Sequence, residues 1–519
     1  MWFHAKLRLS EERYSDKDRR EKIDTVLHEL GLTKCQGVLI GGQSGDHVGK
    51  KTLSGGERKR LGFATEVLTN PSVFFCDEPT TGLDSFMAET VVQSMKNLAE
   101  RGKTVVCTLH QPSSEIISLL DDLLVLSDGK VVYHGPTKEV VNYFESIGYP
   151  SPPSFNPFDH VIAVLSTPSN EERQRVIPDS ATPTSGLSRA EAMAETFRRS
   201  KNYRWLVEDM KTSNAMYANK GQSTMLEQRI AAGLEPASVW SQYKMAIWRQ
   251  VITVKRNKAT FAGRIFSTLF LGSFYSLMYA DQKYDDKGVM NFVAIMYQMS
   301  TLACWENLEP YAVTIPKEVP IYMREQQQNM YSPLAYFIAR TVIEIPQIFM
   351  TCLAFVTLTY LSSNLLREPD RFFNAVFINC LSGWTASGLG TLIGFSVDNL
   401  AISNGIRRAI GPLLSYTAGM YINLAGMPPY IAWLRYISPT FYANELMQIN
   451  QWTGVDHLDC TLPDESSCFK NGDQVMDFYG FSPDDVTRNI VALIGLMIAF
   501  RIIAFIILTV RTNRTKNEA

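Results

Sequence analysis

Four short stretches between residues 53 and 111 carry groups suited to phosphate and metal chemistry. The first, Leu53-Ser54-Gly55-Gly56-Glu57, puts small residues just ahead of a helical stretch that begins near Glu57. Without bulky side chains, backbone N–H groups there can approach phosphate oxygens, helped by the positive end of the helix. The second is an apolar run, Val73-Phe74-Phe75-Cys76, that ends in Asp77 and Glu78. A carboxylate at a strand end can hold Mg²⁺ directly or through water, and the acid behind it can polarise an attacking water. The third is Gly82-Leu83-Asp84-Ser85 and the fourth is Thr108-Leu109-His110-Gln111. Taken singly, each has an ordinary explanation as a turn, a strand cap or a structural histidine. Their order and spacing favour one common site.

Two strands must deliver these groups. Residues 73–76 read as a buried parallel strand, apolar without alternation. Residues 104–109 read as a second strand, which brings His110 to the same sheet edge, where ligands of open α/β folds bind. Cys76 lies beside the acids, but a thiol on such a strand is read as packing.

In this order the stretches resemble the signature loop, Walker B strand, D-loop and switch histidine of an ABC-type ATPase. The longer strings Leu53-Ser54-Gly55-Gly56-Glu57-Arg58-Lys59-Arg60 and Cys76-Asp77-Glu78-Pro79-Thr80-Thr81-Gly82-Leu83-Asp84-Ser85-Phe86-Met87-Ala88 narrow the likeness. With His110-Gln111-Pro112-Ser113-Ser114-Glu115, Gly148-Tyr149-Pro150 and Asn156-Pro157, they are similar to the ABCG half-transporters, most of all the insect White type. The similarity covers nearly the whole chain. It implies ATP and Mg²⁺ as cofactors, with Asp77 holding the metal, Glu78 polarising the water that attacks the γ-phosphate and His110 contacting that phosphate. It also implies that Ser54, Gly55, Gly56 and Glu57 face nucleotide, with Asp84 acting across a dimer interface.

For the Walker A loop, G-x-x-x-x-G-K-[ST], the sequence offers only an imitation. Ser44-Gly45-Asp46-His47-Val48-Gly49-Lys50-Lys51 has Ser where the first Gly belongs and Lys51 where a hydroxyl should bind Mg²⁺. It is read as a chance likeness in a loop that varies in the family. Residues 7–32 are similar to the helical subdomain that follows the Q-loop, so the sequence is expected to enter the nucleotide-binding region part-way in. Met1-Trp2-Phe3 opens no long apolar targeting segment. On this expectation the chain alone hydrolyses no ATP. Beside a complete half-transporter it completes one composite site, supplying Ser54, Gly55, Gly56 and Asp84. A non-catalytic, regulatory partner subunit is the alternative.

At 519 residues the chain is long enough for two or more domains. A net charge of −2 and a pI near 6.4 give no case for nucleic acid as a partner. The mean hydropathy of −0.07 averages a polar first part against an apolar second. Residues 166–236 read as polar linker, with Pro168-Ser169-Asn170-Glu171-Glu172 and Pro183-Thr184-Ser185-Gly186, and with a charged surface helix over residues 189–210. Over residues 237–257, Trp240, Tyr243, Ile247, Val251 and Val254 recur at helical spacing beside Lys244, Arg249, Lys255 and Arg256. That pattern fits an amphipathic helix on the cytoplasmic membrane face.

Six apolar segments follow, at residues 261–280, 289–313, 334–361, 372–397, 406–424 and 490–510, each near the roughly 20 residues a span requires. Six spans make a soluble SMC-like ATPase, which has a similar signature, a poor rival. Lys255-Arg256-Asn257-Lys258, Arg407-Arg408 and the basic residues from Arg511 to Lys516 mark the cytoplasmic side, which holds the ATPase part and both ends. Arg367 and Arg371 disagree, though Glu368 and Asp370 accompany them. The sequon Asn513-Arg514-Thr515 would be cytoplasmic and is discounted. Arg340 and Glu344, four apart, are read as a pair on one helix face.

The loop over about residues 425–489 should face the exterior or a lumen, and Cys460 and Cys468, on that oxidising side, are expected in a disulfide, within the chain or across a dimer. The resemblance further implies a coupling loop at residues 314–332 with Arg324 and Glu325, and a substrate cavity near Met299, Met420 and Tyr421. The expected architecture is therefore α/β, a partial ABC ATPase domain over residues 1–165, then an all-α six-helix transmembrane domain of ABC-2 type over 258–512 and a tail at 513–519. The expected function is ATP-driven transport by a dimer of half-transporters in a plasma or vesicle membrane, in contact with lipid. The substrate would be a small hydrophobic or aromatic molecule: a pigment precursor, sterol, lipid or drug.

Overall fold

The structure is a computed structural model. It describes residues 1–9, 11–38, 40, 52–110, 112–152, 157–166, 189–219, 237–422, 426–461 and 468–518. The Walker A imitation at 44–51, Gln111, Asn156 and most of the expected linker lie outside the described residues. The chain divides into two units, Met1–Glu235 and Pro236–Ala519.

In the first unit, α1 (Trp2–Arg8), α2 (Asp16–Glu29) and α3 (Gly55–Val67) close around Ala5, Leu9, Ile23, Val26, Ala64 and Leu68. Ser15 opens α2 with a reciprocal capping box to Asp18. Strand β1 (Val73–Cys76) pairs in parallel with β2 (Thr104–Cys107), Val73 opposite Thr104 and Cys76 opposite Cys107. Parallel pairing needs a crossover. It is supplied by α4 (Ser85–Glu100), whose Ala88, Val92 and Met95 pack with Ile116 of α5 (Ser114–Ser118) and with Cys76 and Cys107. The expectation that β1 is buried on both faces needs correction. Phe75 is 82% exposed, because no described residue covers the face opposite α4.

Strands β3 (Asp122–Ser127) and β4 (Lys130–Pro136) form an antiparallel hairpin. Its Asp128-Gly129 turn has positive φ at both residues, the geometry Asp-Gly accepts readily. Helices α6 (Val140–Ser146), α7 (Pro157–Ser166) and α8 (Arg189–Arg199) share a core with β4 built on Tyr133, Tyr143, Phe144 and Phe197. The helix expected on the surface of a linker is therefore two elements. In α8, Met193 and Phe197 are buried and Glu191 pairs with Lys130, while α9 (Lys201–Asn219) follows separately.

The second unit is helical: α10 (Val239–Arg256), α11 (Lys258–Met278), α12 (Asp286–Gln327), α13 (Pro333–Ser362), α14 (Pro369–Ser396), α15 (Leu400–Tyr416), α16 (Pro439–Trp452), α17 (Gly472–Tyr479) and α18 (Val486–Glu518). Among the described residues three helices are long and apolar enough to cross a membrane: α13, α14 and the one ending in α18. The other three expected segments fall on α11, α12 and α15, and α15 ends at Tyr416, short of the expected 424.

Two expected loops are partly helical. Residues 314–327 continue α12 despite Pro310, Pro316 and Pro320. Pro316 cannot donate to the Ala312 carbonyl, and Ser403 of α15 donates to it instead at 2.7 Å. Within the expected external loop, α16 is almost wholly buried. Its amides are satisfied inside: Gln448 donates to the Val293 carbonyl, Asn444 to the Ala418 carbonyl and Trp452 to Gln448.

Arg340 and Glu344 attract one another along α13 as expected, but without a direct ion pair, and each side chain also reaches a different helix. Arg340 meets Glu318 and Thr314 of α12, and Glu344 meets Arg501 of α18 at 3.5 Å. Arg501 also donates to Ser387 and to the Trp384 carbonyl of α14. Cys460 and Cys468 are disulfide-bonded. Thr461 beside them donates twice to Asp286 at the start of α12.

Two outcomes follow from this packing. A Cβ on Gly390 of α14 would collide with the Leu308 carbonyl of α12, a backbone atom that cannot swing aside. Gly390→Ala should therefore cost about 1–3 kcal/mol and lower the melting temperature of the purified protein. Gly263→Ala, where a Cβ meets nothing within 4 Å, should not; equal melting would contradict the packing. Peptide mapping without reductant should find Cys460 and Cys468 joined to each other within one chain, and Cys460→Ser should free Cys468 for alkylation.

Candidate functional site

The site grows from two helix starts and one strand pair in the first unit. Ser54 caps α3: its hydroxyl accepts from the Glu57 N–H at 3.2 Å, and the Glu57 carboxylate accepts from the Ser54 N–H at 2.8 Å. This box satisfies two backbone donors. The N–H groups of Gly55 and Gly56, in the first turn, have no partner within the helix. They lie at its positive end without side chains to screen them.

At the C-terminal end of β1, Asp77 and Glu78 are both exposed. Thr108, just past β2, joins them. Its hydroxyl donates to Asp77 Oδ1 at 2.7 Å and accepts from the Glu78 N–H at 2.8 Å. Glu78 takes a φ of +42°, a left-handed conformation that costs energy for a residue with a Cβ. Thr81 holds the other end by donating to Glu78 Oε2 at 3.0 Å. Asp84 caps α4, accepting from the Met87 N–H at 2.8 Å. His110, exposed, lies two residues beyond Thr108.

The structure thus links Asp77 and Glu78 through one hydroxyl. The role of Thr108 was missed in sequence reasoning, although it belongs to the quoted fourth stretch. Its signal was a hydroxyl residue at the end of the strand beside the acids. The neighbouring thiols are packing groups: burial, with Cys107 adding to it, pushes the Cys76 thiol up to about 11, and burial raises Cys107 too.

The residues fit Mg²⁺ bound together with a nucleotide. Asp77 offers an exposed hard oxygen ligand. Among the described residues no cluster of three His, Cys, Asp or Glu side chains could hold a metal unaided. Mg²⁺ commonly takes one or two carboxylates and fills its octahedron with phosphate and water oxygens.

In the second unit, Glu325 is buried near the end of α12, in an ion pair with Arg249 of α10 at 2.6 Å, and the Tyr331 hydroxyl donates to it. Arg324 beside it is exposed. Met299 is fully buried in α12. Tyr421 is 66% exposed, with its ring edge-on to Tyr297 and Tyr416, and Met420 is half-buried beside it. A separate small cavity is lined by Thr268, Glu306, Asn307, Thr351, Cys352 and Asn379, none of them expected there.

Comparison with known proteins adds the following. The sequence model of a family described as ABC transporter matches residues 2–81, and models described as ABC-2 type transporter match residues 110–185 and 241–452. Protein white of Drosophila melanogaster is 32% identical over 503 residues, covering 96% of this chain and 69% of that protein. The ABC transporter ATP-binding protein/permease wht-1 of Caenorhabditis elegans is 30% identical over 520 residues, 98% of this chain and 75% of its own length. The broad substrate specificity ATP-binding cassette transporter ABCG2 of Mus musculus is 27% identical over 523 residues, 97% of this chain and 77% of its own length. Identity of this extent along nearly the whole sequence shows that the chain belongs to the White-type, ABCG family of ABC transporters.

Proposed function

We propose that the chain is one half of a dimeric transporter in which ATP moves a small hydrophobic or aromatic molecule across a plasma or vesicle membrane. The observation that carries this reading is the pairing, in one unit, of the open helix start at Gly55 and Gly56 with the Asp77–Thr108–Glu78 cluster. The first suits the phosphates of a nucleotide held by a second subunit. The second suits the metal and water of phosphate transfer. Asp77 would hold Mg²⁺, which supplies charge neutralisation at the phosphates. Glu78 would orient the water, His110 would sense the terminal phosphate, and Asp84 would act across the dimer.

The membrane part has the surfaces such a role requires. On α10, Trp240 is 68% exposed, with the Lys244 ammonium 5.5 Å from its ring centre. Trp and Lys together are what an interfacial helix presents to lipid headgroups. Glu325 anchors the end of α12 to this helix, a fit partner for a segment that passes ATPase movement to the spans. Tyr416 and Tyr421, exposed and set edge to face, offer aromatic surface for a flat apolar substrate, with the buried Tyr297 packed edge-on behind Tyr421.

In purified dimers with a complete half-transporter, Gly55→Asp and Ser54→Arg should each reduce ATP turnover to background. The first places a carboxylate, and the second a bulky side chain, where phosphate must approach. Turnover that survives both changes would remove the Ser54 end of α3 from the nucleotide site.

A further inference from the structure

Lys59 stands on the second turn of α3, and its ammonium donates to two backbone oxygens outside that helix: the Glu78 carbonyl at 3.0 Å and the Thr81 carbonyl at 2.8 Å. A lysine on a half-exposed helix face is ordinarily a solvated charge. Here its long stem and three rotatable donors bridge both carbonyls at once.

Those carbonyls border the turn that holds Glu78 left-handed. On one side the turn hangs from β2, through the Glu78 N–H and Thr108. Within itself it is closed by the Thr81 hydroxyl on Glu78 Oε2 and by the Thr81 N–H on the Glu78 carbonyl. From the side of α3 it is tied by Lys59. The same two segments also touch sterically. A Cβ on Gly56 would collide with the end of the Met87 side chain, and one on Gly55 would lie 3.3 Å from Leu83. The first turn of α3 and residues 78–87 therefore form one block, and Lys59 is its charged cross-link.

In the dimer proposed above, one end of this block, Ser54, Gly55 and Gly56, faces the nucleotide held by the partner subunit, and Asp77 and Glu78 lie at its other end. We propose that Lys59 is a positioning residue which passes the docking of phosphate at the start of α3 to the backbone of Glu78, so that occupancy of that composite site sets the geometry of this chain's own acids. The inference rests on that dimer reading, and its failure can be told apart from the failure of the reading.

The test is hydrogen–deuterium exchange on the purified dimer with a complete half-transporter, with and without Mg²⁺ and a non-hydrolysable ATP analogue. In the wild-type dimer, peptides over residues 53–60 and 77–84 should both exchange more slowly with nucleotide. In Lys59→Met, the response at 53–60 should persist and most of that at 77–84 should be lost. Lys59→Arg, which keeps charge and donors, should retain both. Unchanged exchange over Ser85–Glu100 without nucleotide identifies variants that remain folded. A Lys59→Met dimer whose 77–84 response equals wild type overturns the coupling, as does a Lys59→Arg dimer that loses it fully. No response at 53–60 in the wild type overturns the dimer reading itself, and the coupling with it.

Discussion

The carbonyl of Ala312 loses its usual donor four residues on, because Pro316 has no N–H to give it. A carbonyl left unpaired among apolar side chains is expensive. The Ser403 hydroxyl from α15 meets it at 2.7 Å, and with that bond α12 continues through its prolines. Much of the second unit obeys the same requirement. Arg501 is accommodated beside Glu344, Ser387 and the Trp384 carbonyl, contributed by α13 and α14. Arg264 of α11 is shared between Gln347 and Asn307. Polar groups thus decide which helices meet, while close approach through residues such as Gly390 decides how near they come.

The first unit applies the same rule to a turn. Glu78 occupies a conformation it would not choose alone, and the contacts that enforce it come from Thr108, Thr81 and Lys59. Strain of this kind persists where the surroundings over-determine it. The surroundings here are two strands, one crossover helix and the helix that opens at Ser54. The chemistry-bearing acids are therefore held by elements far apart in the sequence.

The strand pair and the capped helix start were legible, because an apolar run ending in Asp77 and Glu78 and a small-residue turn at Ser54, Gly55 and Gly56 have few other local forms. The apolar lengths of α13, α14 and α18 were equally plain. What stayed hidden depended on partners. Nothing local distinguishes Met193 and Phe197 of α8 from a surface helix until β4 and Tyr143 are in place. The polar residues of α16 read as loop, since the groups that satisfy Asn444 and Gln448 lie near residues 418 and 293. Arg340 and Glu344 had the right spacing to attract one another, but spacing cannot reveal the further partners, Glu318 and Arg501, on neighbouring helices.

The unbroken course of α12 has a mechanical meaning. Its 42 residues rise about 63 Å at the usual 1.5 Å per residue, more than the full thickness of a bilayer, about 40–45 Å with headgroups. One end is clipped through Asp286 to the segment stapled by Cys460 and Cys468. The other is clipped through Glu325 to α10. A loop at residues 314–327 would have absorbed displacement as slack. A continuous helix offers less slack, and its easiest bending lies around Pro310, Pro316 and Pro320. Its stiffness is set by hydrogen bonds and its compliance by three missing ones.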